Sequence, residues 1–107
     1  MHRSTWKKFE SRCAKFLNGR RIPVTGIDRD GADVVSAMFH YQCKLRRGMP
    51  TYLREWLNGI VSTATDAGKI GIVIWKQPGE RDAESVVVLR LKDWIALHGE
   101  VTECDAK

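Results

Sequence analysis

Ala32-Asp33-Val34-Val35-Ser36-Ala37-Met38-Phe39-His40-Tyr41-Gln42-Cys43-Lys44 reads as a β-hairpin. Residues 32 to 36 and 39 to 44 are β-favouring runs, and only Ala37 and Met38 lie between them. If the turn centres on those two residues, Asp33 falls across from Gln42, and Val35 from His40. Directly opposed residues share a face, with Cβ atoms about 4.5–5.5 Å apart. Side chains alternate along a strand, so Gln42 and Lys44 point one way and Tyr41 and Cys43 the other. Asp33, Gln42 and Lys44 are therefore expected to converge on one patch, with His40 on the same face and Tyr41 and Cys43 in the core.

Upstream, Ser4 or Thr5 is an expected N-cap for a helix running to about residue 17, and Asn18-Gly19 is its stop signal. Its apolar face is Trp6, Phe9, Cys13, Phe16 and Leu17. At about 100° per residue, Glu10 lies about 40° beyond Trp6, at the border of that face. Lys7, Lys8, Ser11, Arg12 and Lys15 take the opposite side. Glu10 is the one acid of this basic helix, and a carboxylate at a buried edge is costly unless a metal or a lysine compensates it.

An extended piece at 21–24 and a turn-rich segment at 25–31 deliver the chain to Asp33. Downstream, Arg46-Arg47-Gly48-Met49-Pro50 is a basic loop, and Pro50-Thr51 opens a second helix to about residue 67, ended by Gly68. Its apolar face is Leu53, Trp56, Leu57, Ile60, Val61 and Ala64. Residues 69–75 and 85–91 are strand-like runs joined by an exposed turn at 77–83, and 92–98 close as a short helix. The order αβββαββα predicts an α/β (α+β) fold, a central mixed sheet of about five strands flanked by helices. Residues 1–99 are expected to form one domain and 100–107 a flexible tail.

Eighteen Lys and Arg face thirteen Asp and Glu, a net charge of +5. Residues 1–21 carry seven of those cations and one acid, whereas 51–107 carry seven and nine. A positive surface confined to one third of the chain suits a polyanion. A solvated Lys/Arg helix face explains the charge equally well. Three scattered cysteines provide neither a disulfide framework nor zinc spacing, which points to a reducing cytoplasm. No apolar stretch approaches the roughly 20 residues of a membrane span, and there is no signal-peptide core.

The hairpin has the groups that phosphodiester hydrolysis needs: a cation for the developing charge, an oriented water and a nearby positive group. Asp33 can ligate Mg²⁺ or Mn²⁺, with the Gln42 amide oxygen and the Cys43 backbone carbonyl beside it and Glu10 as the additional carboxylate. Lys44 would orient or activate the water. Arg20, Arg21, Arg46 and Arg47 flank the site and suit phosphate contacts, and Lys7, Lys8, Arg12 and Lys15 extend that surface. No zinc finger, helix-turn-helix or aromatic RNA-binding motif offers base readout, so structure-selective or non-specific DNA binding is expected.

Each assignment has a plainer counterpart. Asp33 can terminate a turn. Gln42 and Lys44 can be edge-strand residues facing solvent. Glu10 can pair within its helix with Arg3, Lys7 or Arg12, and Asp30 rivals Asp33 as a ligand.

The order of elements, with a Glu-bearing first helix and then Asp33 and Gln42-x-Lys44 on adjacent strands, resembles the PD-(D/E)XK nuclease superfamily over roughly residues 6 to 97. The motif looks most like the Gln-x-Lys variant of Mrr-type restriction endonucleases. The small size, without an appended recognition domain, is similar to archaeal and phage Holliday junction resolvases. The resemblance implies a restriction-endonuclease-like core, metal-dependent endonuclease activity, branched DNA as substrate, a homodimer and possible phage origin. Gln42 departs from the commoner Glu and removes a negative charge from the site. A catalytically inactive DNA-binding or protein-interaction module with the same fold is the alternative.

Overall fold

The computed structural model describes residues 3–23 and 32–99. The expected turn at 25–31 with Asp30, together with His2, Val24 and the tail 100–107, lies outside them. The elements are α1 (Arg3–Phe16), β1 (Arg20–Arg21), β2 (Val34–Val35), β3 (His40–Tyr41), α2 (Thr51–Asp66), β4 (Val73–Trp75), a 3₁₀ turn (Asp82–Glu84), β5 (Val86–Val88), α3 (Leu91–Trp94) and a π-helical turn (Ile95–Gly99). The order is the one read from the sequence. The sheet is not: the described strands form two antiparallel sheets, β1-β2-β3 and β4-β5, in place of one mixed five-stranded sheet. Apolar runs locate strands but do not say which will pair, and ladders of two or three residues each find their partners locally.

The chain divides into two compact units, Met1–Arg46 with Ile95–Lys107, and Arg47–Trp94. In the first, α1 begins at Arg3, ahead of the expected cap positions. It ends where the Asn-Gly signal places the stop. Asn18 adopts φ +53°, Gly19 N–H donates to the Ala14 carbonyl at 2.8 Å and Asn18 N–H to that of Lys15 at 3.4 Å, the two bonds of a Schellman cap. Gly19 has a second role, because a Cβ there would lie 2.7 Å from the Val35 carbonyl oxygen. Only glycine lets the end of α1 lie this close to β2.

The buried face of α1 is Glu10, Cys13, Ala14 and Leu17, at spacings of three and four, while Phe16 is 51% exposed and Trp6 and Phe9 are half-buried. The face is rotated from the expected one. Glu10 is consequently within the buried stripe and not at its border. Small side chains let α1 approach the sheet, where Ala32 and Val34 complete the core.

In the second unit, α2 follows Pro50 and stops at Gly68, whose φ of +71° allows another Schellman cap, with Lys69 N–H on the Ala64 carbonyl at 2.7 Å and Gly68 N–H on that of Thr65 at 3.0 Å. Leu53, Leu57 and Val61 are half-buried and Ala64 is buried, but Trp56 and Ile60 of the expected face are exposed. Trp56 stays in contact with Tyr52 and Trp75, at ring separations of 5.1 and 5.4 Å. Among the described residues, no helix is long and apolar enough to cross a membrane.

Candidate functional site

Two backbone bonds hold the residue at the centre of the site. Asp33 N–H donates to the Tyr41 carbonyl at 2.7 Å, and its own carbonyl accepts from Ile22 N–H at 2.8 Å, so Asp33 is fixed toward β3 on one side and the β1 segment on the other. The ladder register is Val34↔Tyr41 and Val35↔His40, the pairing read from the hairpin. Beyond it the register departs from expectation. Asp33 N–H reaches the carbonyl of Tyr41, the residue Val34 already faces, so two residues oppose one in the manner of a β-bulge. That offset explains why Asp33 and Val34 are both buried although adjacent strand residues ordinarily face opposite ways.

The Asp33 carboxylate does not simply stand across from Gln42. Its Oδ2 accepts a 2.6 Å hydrogen bond from Cys43 N–H. A side chain thus takes a backbone donor, and regular β3 stops at Tyr41. Burial alternates over 41–45 as the hairpin reading expects, with Tyr41, Cys43 and Leu45 half-buried and Gln42 and Lys44 exposed, and Cys43 also borders the cleft that Gln42 and Lys44 line. Its thiol is pushed up to about 12, first by burial and then by the neighbouring Cys13, with a smaller contribution from Glu10. Both thiols are free.

Glu10 comes to this place from α1. It is 3% exposed, Asp33 is 6% exposed, and they are the buried charged side chains among the described residues. The charge of Glu10 is met by Arg21, whose Nε donates to Oε1 at 3.0 Å. This partner comes from a strand and not from α1 itself. The sequence places Arg21 among the phosphate contacts, whereas the structure gives its guanidinium a carboxylate within the chain. Strand parity explains the difference. Arg21, Val34 and Tyr41 are paired in register and share a face, and Val34 is buried beneath α1, so Arg21 is directed at the helix. Arg20 pairs with Val35 and is exposed on the other face. Strand parity puts Arg21 on the Val34 face, and its meeting with Glu10 depends on how α1 packs against that face.

Glu10, Asp33, Gln42, Cys43 and Lys44 line one cleft of about 360 Å³ with Trp6, Leu45 and Arg46. The residues singled out from sequence as catalytic or ligating are therefore brought together. Trp6 and Leu45 form its apolar wall, a role that no motif in the sequence marks. Of the expected phosphate contacts, Arg46 lines the cleft, while Arg20 and Lys15 are exposed and Arg47 is an exposed residue of the second unit. Lys7, Lys8, Ser11 and Arg12 border a shallow groove on α1, with Lys7 Nζ 5.9 Å from the Trp6 ring centre and Arg12 Cζ 5.8 Å from that of Phe9.

The donor set suits a hard divalent cation, since two carboxylates, an amide oxygen and a backbone carbonyl are oxygen ligands. No three His, Cys, Asp or Glu side chains form a metal-holding group among the described residues, so the neutral donors of Gln42 and Cys43 would have to complete the shell. Comparison with family models, with curated proteins and with solved structures finds no match to this chain.

Proposed function

We propose that the cleft is the active site of a Mg²⁺- or Mn²⁺-dependent DNA endonuclease of PD-(D/E)XK type, acting as a homodimer on branched DNA. The observation that carries the reading is burial. Glu10 and Asp33, the acids singled out as ligands, are the charged side chains that the described fold buries, and they border the same cleft as Gln42 and Lys44. Placing carboxylates in a small core of Ala, Val and Leu is costly, and stability alone would favour an apolar residue at either position.

Asp33, Glu10, the Gln42 amide oxygen and the Cys43 carbonyl would hold the cation, which supplies charge against the negative charge that develops on the scissile phosphate. Asp33 is suited to its part because backbone bonds on both sides fix it before substrate arrives. Lys44, exposed at the cleft mouth, orients the attacking water and faces the scissile phosphate. Arg46 neutralises an adjoining phosphate, and the basic side of α1 extends the contact along the backbone.

A second reading, a non-catalytic DNA-binding or protein-interaction module, is favoured by the partners the two acids already have: Arg21 holds Glu10 and Cys43 N–H holds Asp33. One experiment separates the two. The pure protein is incubated with four-way junction, flap, nicked and linear duplex DNA in Mg²⁺, in Mn²⁺ and in chelator. The endonuclease reading expects cleavage that requires metal and is strongest on branched DNA. Tight junction binding without cleavage in either metal supports the module and rules out the enzyme.

A further inference from the structure

Arg21 is absent from the cleft's lining although it bonds a carboxylate that lines it. It reaches Glu10 from β1, and its side chain keeps 24% of its surface exposed against 5% for Glu10. Among the described residues, two carboxylates, Glu10 and Asp33, face three cationic side chains, Arg21, Lys44 and Arg46, and Gln42 adds no charge. A described lining without net negative charge gives a divalent cation little electrostatic gain over water. A phosphodiester reverses that balance, since it contributes negative charge and oxygen ligands at the cleft mouth while Lys44 and Arg46 turn to it.

We propose that Arg21 is the resident counter-ion of Glu10, and that it keeps the cleft's own affinity for divalent cations low, so that cation and DNA phosphate are taken up together. The proposal rests on reading the cleft as a cation site and adds how that site is regulated. Arg21 acts through Glu10 and is a positioning residue. Linkage makes the coupling reciprocal: DNA tightens cation binding by the factor by which the cation tightens DNA binding.

Binding of Mn²⁺ to the full chain without DNA, followed by the loss of the free-ion electron paramagnetic resonance signal, tests this directly. Arg21→Gln is expected to bind Mn²⁺ about tenfold more tightly than wild type, within the usual range for coupled sites. Glu10→Gln/Arg21→Gln is expected to lose that gain. A purely structural Arg21 would alter thermal stability and leave Mn²⁺ affinity unchanged, and equal affinities of wild type and Arg21→Gln overturn the proposal. Should Arg21→Gln not fold, the wild type decides. Fluorescence anisotropy of a labelled four-way junction, at constant ionic strength, should show about tenfold tighter binding in Ca²⁺ than in chelator. That gain should vanish in Asp33→Asn, and equal affinity in Ca²⁺ and chelator overturns the coupling. If neither wild type nor Arg21→Gln binds Mn²⁺, with or without DNA, the cation site itself falls and the proposal with it. If wild type without DNA binds Mn²⁺ as tightly as Arg21→Gln, the proposal falls while the cation site stands.

Discussion

Asp33 carries two separable duties, and its variants should divide them. Its Oδ2 accepts Cys43 N–H, so Asp33→Ala leaves a partly buried donor without its acceptor and should cost about 1–3 kcal/mol. Asp33→Asn keeps a carbonyl oxygen there and should lose less. Urea unfolding of the two variants measures the difference, while the endonuclease reading has both inactive. The second residue-scale prediction concerns Cys43. Its thiol is raised from an ordinary value of 9.0 to about 12, chiefly by burial. Between those values the folded chain keeps a proton that the unfolded chain has released, so stability falls as pH rises. The contribution is complete below about pH 9 and fades toward pH 12. Unfolding midpoints at pH 8 and pH 10.5 should therefore differ less in Cys43→Ala than in wild type. If the two proteins lose stability in parallel, Cys43 is not the group responsible.

At the scale of elements, the junction of α1 with the first sheet positions Glu10, and Gly19 is its tightest point. A methyl group there would approach the Val35 carbonyl oxygen to 2.7 Å and Val34 Cγ1 to 3.0 Å, so backbone would have to move. Gly19→Ala should destabilise by about 1–3 kcal/mol, the usual cost of overpacking, and should reduce cleavage by more than Gly59→Ala within α2, where an added Cβ meets no atom within 4 Å. Thermal unfolding with single-turnover assays on both variants checks this. The legibility of the elements follows the same physics. Caps and turns are local, so Asn18-Gly19, Pro50 and Gly68 could be read directly, and the hairpin register followed from the two-residue turn. The rotation of α1 could not, because Trp6, Phe9 and Phe16 outweigh Cys13 and Ala14 in apolar content, whereas close packing selects the small side chains. Sheet partnership was equally out of reach, since β4 and β5 satisfy one another. The bulge at Asp33 is set by Ile22 and Tyr41 together, a tertiary condition that no period-two pattern contains.

On the proposed reading, the charge distribution of the chain sets how it would meet DNA. Binding should weaken linearly on a log–log plot against salt, with a slope of about −0.9 per phosphate contacted. Removing Lys8 or Arg12 should reduce that slope by about one without changing substrate preference, as anisotropy titrations would show. The proposed homodimer makes a demand of its own. Ile74 and Val87 are paired in register and are 72% and 57% exposed, an apolar surface in the second unit that association would cover. Sedimentation should find a dimer that Ile74→Glu disrupts, and a wild-type monomer at every concentration would remove the dimer from the account. The central claim is that Glu10, Asp33, Gln42 and Lys44 form one metal-dependent hydrolytic site. Single-turnover cleavage of a four-way junction in Mg²⁺ by wild type, Asp33→Asn and Lys44→Ala tests it most directly. The account predicts cleavage by wild type that chelator abolishes, with both variants at least about 100-fold slower. Cleavage that survives in Asp33→Asn and Lys44→Ala, or its absence from the wild-type protein, would contradict it.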